Sequence, residues 1–183
     1  VFISHAHEDH FGALPFLLDQ LPDVAIYSAK LVAGFIEDKL TDYGIRGKKV
    51  NIMDPEGEPT TVGSFIIDSF RITHSVPDSL GFCISTPIGR FFHVPDYKFD
   101  WTPVDGKPFD IAKAALLAKG GVVAMASDSL GATSEGYTMS EADLEKNIGN
   151  IFKEAKGRIF LTTISSNISR MQQVVNISRA LGR

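Results

Sequence analysis

A single cysteine, Cys83, leaves this 183-residue chain without any internal disulfide, so its stability must come from packing alone. Flanked by apolar residues, Cys83 reads as a small core side chain and not as a nucleophile. No apolar run approaches the roughly 20 residues that a membrane span requires, and Val1-Phe2-Ile3 has neither the basic flank nor the small-residue cleavage site of a secretory signal. A cytoplasmic setting away from membranes is the expectation. An excess of cations is also missing: the net charge of −4 argues against a surface built as a whole for nucleic acid. There is no repeat and no low-complexity tract. The triplets Asn167-Ile168-Ser169 and Asn176-Ile177-Ser178 match a glycosylation pattern, but both fall on a helical pattern in a chain with no secretory signal. The first residue is not Met and already belongs to a strand-like run, so a piece of a longer chain is expected.

What is present is a hydrophobic content of 44%, ample for a packed core. Short apolar runs at 1–4, 25–27, 65–70, 81–86, 90–94, 122–126 and 158–162 read as strands. Between some of them the period becomes helical. Leu31, Val32, Phe35, Ile36 and Leu40 form one stripe behind a candidate cap, Ser28; Leu144, Ile148, Ile151, Phe152 and Ala155 form another. That second helix has capping-box spacing at Thr138…Glu141 and a stop at Gly157. Asn167 can cap a last helix carrying Met171, Val174, Val175 and Leu181, closed by Gly182. From Val50 to Val94 the texture differs, with turn residues at Pro55-Glu56-Gly57, Gly63 and Pro87-Ile88-Gly89, which predicts consecutive antiparallel strands. Strands in a run followed by alternating helix and strand predict a layered α/β architecture with a mixed sheet. Charge is uneven along it: residues 142–183 hold seven Lys and Arg against three acids.

Three of the five histidines crowd one hexapeptide, His5-Ala6-His7-Glu8-Asp9-His10. In an extended segment residues i and i+2 project to the same side, so His5 and His7 can grip one ion. Asp9 and His10 fall where the chain turns toward a helix beginning near Phe11-Gly12, and can face a second. Glu8, between alternating ligands, is expected to face solvent or to stand behind the ligands, not to bind an ion. Imidazole and carboxylate suit zinc first and manganese second. Further ligands are sought at strand ends: His74 lies just past the strand 65–70, and Asp96 just past 90–94, where its two oxygens could be shared by both ions. His93, inside a strand among Phe91, Phe92 and Val94, reads as a structural histidine.

The ordered segments Phe2 to Leu18, His74-Ser75-Val76-Pro77-Asp78-Ser79, Asp96-Tyr97-Lys98-Phe99-Asp100 with Thr102-Pro103-Val104, Ser127-Asp128-Ser129 and Ser165 to Gln173 resemble the ribonuclease J family, a β-CASP branch of the metallo-β-lactamase superfamily. The resemblance implies an incomplete αββα sandwich over residues 1–137 and the start of a β-CASP α/β domain over 138–183. It implies two divalent metal ions, one held by His5, His7 and His74 and the other by Asp9 and His10, with Asp96 between them. Asp9 and Asp96 are then the candidate catalytic carboxylates, joined by Asp128, which matches the acidic first motif of the β-CASP nucleases. The implied activity is metal-dependent hydrolysis of single-stranded RNA, from a 5′ end and internally, by a homo-oligomeric enzyme. Two departures stand out. Pro95 occupies the usual Gly before the bridging Asp, and Leu130-Gly131-Ala132-Thr133 replaces the usual Thr-Asn-Ala. The family's last metal-binding His and its phosphate-holding Gly-His loop would lie beyond Arg183, so weak activity of this stretch alone is expected. Two alternatives remain open: a lactonase- or thioesterase-like hydrolase of small molecules, or a non-catalytic RNA-binding subunit.

Overall fold

The computed structural model describes residues 1–21 and 23–183. Two helical turns, α1 (Glu8–Phe11) and α2 (Leu14–Leu17), precede β1 (Ile26–Ser28), α3 (Lys30–Asp42) and β2 (Val50–Ile52). Four strands follow in succession: β3 (Thr60–Val62), β4 (Phe65–Arg71), β5 (Leu80–Thr86) and β6 (Gly89–Val94). The chain ends with α4 (Ile111–Ala118), β7 (Ala124–Ser127), α5 (Glu141–Glu154) and α6 (Ile168–Ala180). β1 and β2 pair in parallel, and the other five strands form a mixed sheet in the order β3-β4-β5-β6-β7, antiparallel except for the last pair.

Strand alternation gives this sheet two apolar faces. Ile67 and Phe82 turn toward α3 and β1, joining Ile26, Val32, Ile36 and Leu40 in one core. Phe70, Ile72, Cys83, Phe92 and Val94 turn the other way and meet Phe109 with Ala114, Leu117 and Ala118 of α4. The layers run helix, small sheet, large sheet, helix. Phe70 is fully buried, and a Cβ on Gly81 would come within 2.5 Å of its ring. Only glycine lets β5 approach so closely there, and truncating a buried ring of this kind costs about 3–5 kcal/mol.

Topology then sets where loops can meet. β4, β6 and β7 run in the same direction, so the residues after their C-terminal ends lie along one rim of the sheet. The amino-terminal segment reaches the same rim: Phe2 bridges Tyr27, and the Leu80 N–H donates to the Ser4 carbonyl at 2.9 Å.

Several local expectations give way. Residues 1–4 make a single bridge and not a strand, and residues 158–162 form no strand, since no neighbouring strand offers them a ladder. β2 belongs to the small parallel sheet, outside the antiparallel run. Asp9 and His10 already sit within α1, one turn earlier than the helix expected near Phe11. The cap of α3 is Ala29 and not Ser28, which is buried on β1; the Leu31 N–H is instead taken by the Asp78 carboxylate at 3.1 Å. Ser140, two residues past Thr138, caps α5, which ends at Glu154 before reaching Gly157. Of the α5 stripe only Phe152 is buried, and α6 buries Gln173 and Ile177 in place of the expected residues. Asn167 does cap α6, accepting from the Arg170 N–H. The helix α4, rich in alanine and leucine, had no expectation attached to it.

Candidate metal centre

The rim gathers three separate loops. His5 and His7 leave the bridge at Phe2 in extended conformation, His74 follows β4 by three residues, and Asp96 follows β6 by two. One donor atom from each of these four lies within 4.8 Å of all the others. The inner nitrogens are specific: His5 Nε2 and His74 Nε2 face His7 Nδ1 at 3.2 and 3.0 Å. Asp96 Oδ2 stands 3.9 Å from His5 Nε2 and 3.7 Å from His74 Nε2, while its Oδ1 stands 3.6 Å from His10 Nε2. His10 Nε2 in turn lies 3.6 Å from Asp9 Oδ2. The carboxylate of Asp96 therefore stands between two groups of imidazoles, one oxygen toward each.

Charge state and tautomer favour a cation at the centre. Burial first, then the neighbouring His10, His74 and His7, push the His5 pKa down to about 3. Burial and His7 likewise push His74 down to about 4, against the pull of Asp96 and Asp128. Both rings are neutral at pH 7 and each keeps a lone pair. The outer nitrogens meet hydroxyls, His5 Nδ1 with Ser4 Oγ at 3.1 Å and His7 Nε2 with Ser75 Oγ at 3.3 Å. With those hydroxyls accepting, the lone pairs of His5 and His7 turn inward on one another and on a carboxylate, an arrangement that a cation relieves. Its size also fits: zinc–nitrogen bonds of about 2.0–2.1 Å in a tetrahedron set the nitrogens about 3.3–3.4 Å apart, near the separations found.

The remaining expected residues fall into place unequally. Asp9 reaches His10 but is largely solvent-exposed, and it lies outside the four-donor group. Asp128 follows β7 on the same rim, near enough to His74 to act on its charge, but its carboxylate takes the Leu130 N–H at 2.7 Å and stays outside that group. His93 stacks on Phe82 at 6.4 Å with rings 7° from parallel, also outside it. Glu8 is exposed and pairs with Lys39.

Sequence reasoning missed the apparatus that holds the loops. Thr73, next to His74, ties the two carboxyl-side loops together: its carbonyl takes the Lys98 N–H at 2.9 Å and its hydroxyl donates to the Lys98 carbonyl. Lys98 Nζ then reaches Glu141 Oε1 at 2.7 Å, and Arg170 Nη2 meets the other Glu141 oxygen at 2.7 Å. The Glu141 N–H donates to the buried Asp100 carboxylate at 3.0 Å. Burial would raise the Glu141 and Asp100 pKa values, yet these bonds hold both below the usual carboxylate range. A hydroxyl beside each histidine was the signal available for Ser4 and Ser75; the partners of Glu141 are too distant in sequence to have left one.

Residues 1–121 match the family model described as the beta-lactamase superfamily domain. Among curated proteins, Ribonuclease J from Thermus thermophilus is 39% identical over 99% of this chain and 33% of its own length. Ribonuclease J from Helicobacter pylori is 38% identical over 96% of the chain and 25% of its own length. The chain thus spans a third or less of these relatives. Among solved structures, a protein of unknown function from Enterococcus faecalis V583 superposes with a TM-score of 0.68 at 14% identity, over 98% of this chain and 44% of that one, a likeness of fold alone.

Proposed function

From the premise that this chain belongs to the beta-lactamase superfamily, we propose that it carries most of the metal centre of a ribonuclease J-type enzyme, which hydrolyses phosphodiester bonds of single-stranded RNA. The observation that carries this reading is the convergence of His5, His7, His74 and Asp96 on one point, in a chain similar along nearly its whole length to proteins named Ribonuclease J. The separation of inner nitrogens supports His5, His7 and His74 as holders of one ion, and the approach of His10 to Asp9 and Asp96 supports His10 with Asp9 as holders of a second, zinc before manganese. When bound, two such ions supply Lewis acidity toward a phosphoryl oxygen and a lowered pKa for water.

The protein's own groups do the rest. Asp96, with one oxygen toward each histidine group, orients both halves of the centre and is the carboxylate best placed to hold a proton. Ser4 and Ser75 keep the His5 and His7 lone pairs directed inward. Asp128, on the rim beside His74, would face the scissile region. We read 1–137 as the metal-bearing unit and 138–183 as the opening of a β-CASP unit. In the parent protein the activity would proceed from 5′ ends and internally, in a cytoplasmic homo-oligomer.

The test uses the full-length parent on 5′-monophosphorylated single-stranded RNA, beside a thioester and a lactone. The reading requires RNA hydrolysis that falls at least about a hundredfold in His74→Ala with the circular dichroism spectrum retained. Hydrolysis of the thioester or lactone without any RNA cleavage would overturn it in favour of a small-molecule hydrolase.

A further inference from the structure

Beside the metal centre lies an open cleft of about 730 Å³, lined in part by Tyr97, Phe99, Trp101, Asp128, Tyr137 and Asp143. Its aromatic wall is made by an anchored chain. Asp100 is buried with its side chain 1% exposed, held by the N–H groups of Thr102 and Glu141 and by Lys98. With Asp100 fixed inside, its neighbours Phe99 and Trp101 stay at the surface, 54% and 67% exposed. Their rings are 14° from parallel with centroids 6.5 Å apart, close to twice the roughly 3.4 Å rise between stacked bases. Phe99 is held from behind by Phe109 at 4.8 Å, which stiffens the ledge.

Charge in the cleft selects among flat ligands. Lys98, a cation of that lining, is engaged by Glu141, while Asp128 and Asp143 present carboxylates. Such walls repel the phosphate of a nucleotide, which in the ribonuclease reading would face the neighbouring metal centre, and leave the flat, uncharged base for the aromatic ledge. We propose that Phe99 and Trp101 form a base-stacking subsite for single-stranded RNA, holding a nucleobase next to the phosphodiester presented to the metal centre. This rests on the ribonuclease reading and adds a specific contact to it; base–aromatic stacking tolerates any base and so fits a degradative enzyme.

Trp101 is the only tryptophan of this chain, so it reports on itself. The full-length protein is titrated with a short single-stranded RNA in the presence of EDTA, which prevents turnover, and its fluorescence is read against Trp101→Phe to isolate this indole. Saturable quenching is expected, with the midpoint matching RNA binding measured by anisotropy. Trp101→Ala should weaken RNA binding about 5- to 150-fold and raise KM, while Trp101→Phe restores most of the affinity. The subsite is overturned if RNA binds by anisotropy with no change in this indole, if Trp101→Ala binds as tightly as the parent, or if inorganic polyphosphate quenches equally well. In each of those cases RNA cleavage still stands and the ribonuclease reading with it; absence of any RNA binding or cleavage sinks both.

Discussion

Ser75 touches no ion in the proposed centre, yet its hydroxyl is placed to set which nitrogen of His7 carries the proton. The Oγ lies 3.3 Å from His7 Nε2, so accepting that N–H leaves Nδ1 as a lone pair aimed at the nitrogens of His5 and His74. Remove the hydroxyl and the proton is free to sit on Nδ1, where it must be displaced before metal can bind. Outer partners of metal-bound histidines are typically worth 10- to 100-fold in affinity. Ser75→Ala is therefore expected to weaken zinc binding by about tenfold or more in a competition titration with a chromophoric chelator. Secondary structure should be unchanged, because Ser75 sits in a loop and not in β4. An unaltered zinc affinity would mean that the tautomer of His7 is set by something else. At this scale the sequence was most informative: five of the six proposed ligands stand at the rim where pattern and strand ends put them, in reach of one another or of Asp96. Asp9 is the looser one, because its place on α1 turns its carboxylate largely to solvent.

Helices α5 and α6 are joined to the loop that follows Asp96 chiefly through one carboxylate. Glu141 accepts from Lys98 with one oxygen and from Arg170 with the other, and its backbone N–H holds Asp100. The four charges balance, and the side chains of Glu141, Asp100, Lys98 and Arg170 are each shielded from most solvent. Removing only the central charge leaves the shielded Arg170 without its carboxylate and Lys98 with Asp100 alone, which costs more than the loss of an exposed pair. Glu141→Gln is expected to destabilise by about 1–3 kcal/mol, seen as a lowered midpoint in urea or heat. Asp143→Asn, which breaks only the exposed pair with Lys146, should change stability by less than about 0.5 kcal/mol. Equal effects of the two would mean that the bracket is no more than a surface ion pair. Elements whose signals are local were readable: the antiparallel run of β3 to β6, the body of α3 and the Asn167 cap. Those that failed depend on remote partners. The Leu31 N–H in the first turn of α3 is satisfied by Asp78, 47 residues away, held at a φ of 58° that favours Asp over most side chains. Residues 158–162 have a strand's composition but no ladder to join, and a strand is defined by its neighbour.

Across the whole molecule the proposed centre is a clasp on distant parts of the chain: His5 and His7, His74 and Asp96 come from three loops separated by tens of residues. In the unfolded chain these donors disperse, so an ion that needs all of them binds the folded state far better and stabilises it by linkage. At free zinc about 100-fold above its Kd, the expected gain is about 2.7 kcal/mol, read as a rise in the urea midpoint over protein kept in EDTA. His74 tests whether the gain belongs to this rim. It supplies one of three inner nitrogens from a loop that Thr73 ties to Lys98 independently of any ion, so His74→Ala should still fold while losing most of the zinc increment. His93→Ala, on the same sheet but outside the donor group, should keep it. If the increment survived in His74→Ala and vanished in His93→Ala, the ion would sit elsewhere, and the carboxylate of Asp96 would not be the bridge that its two-sided placement indicates.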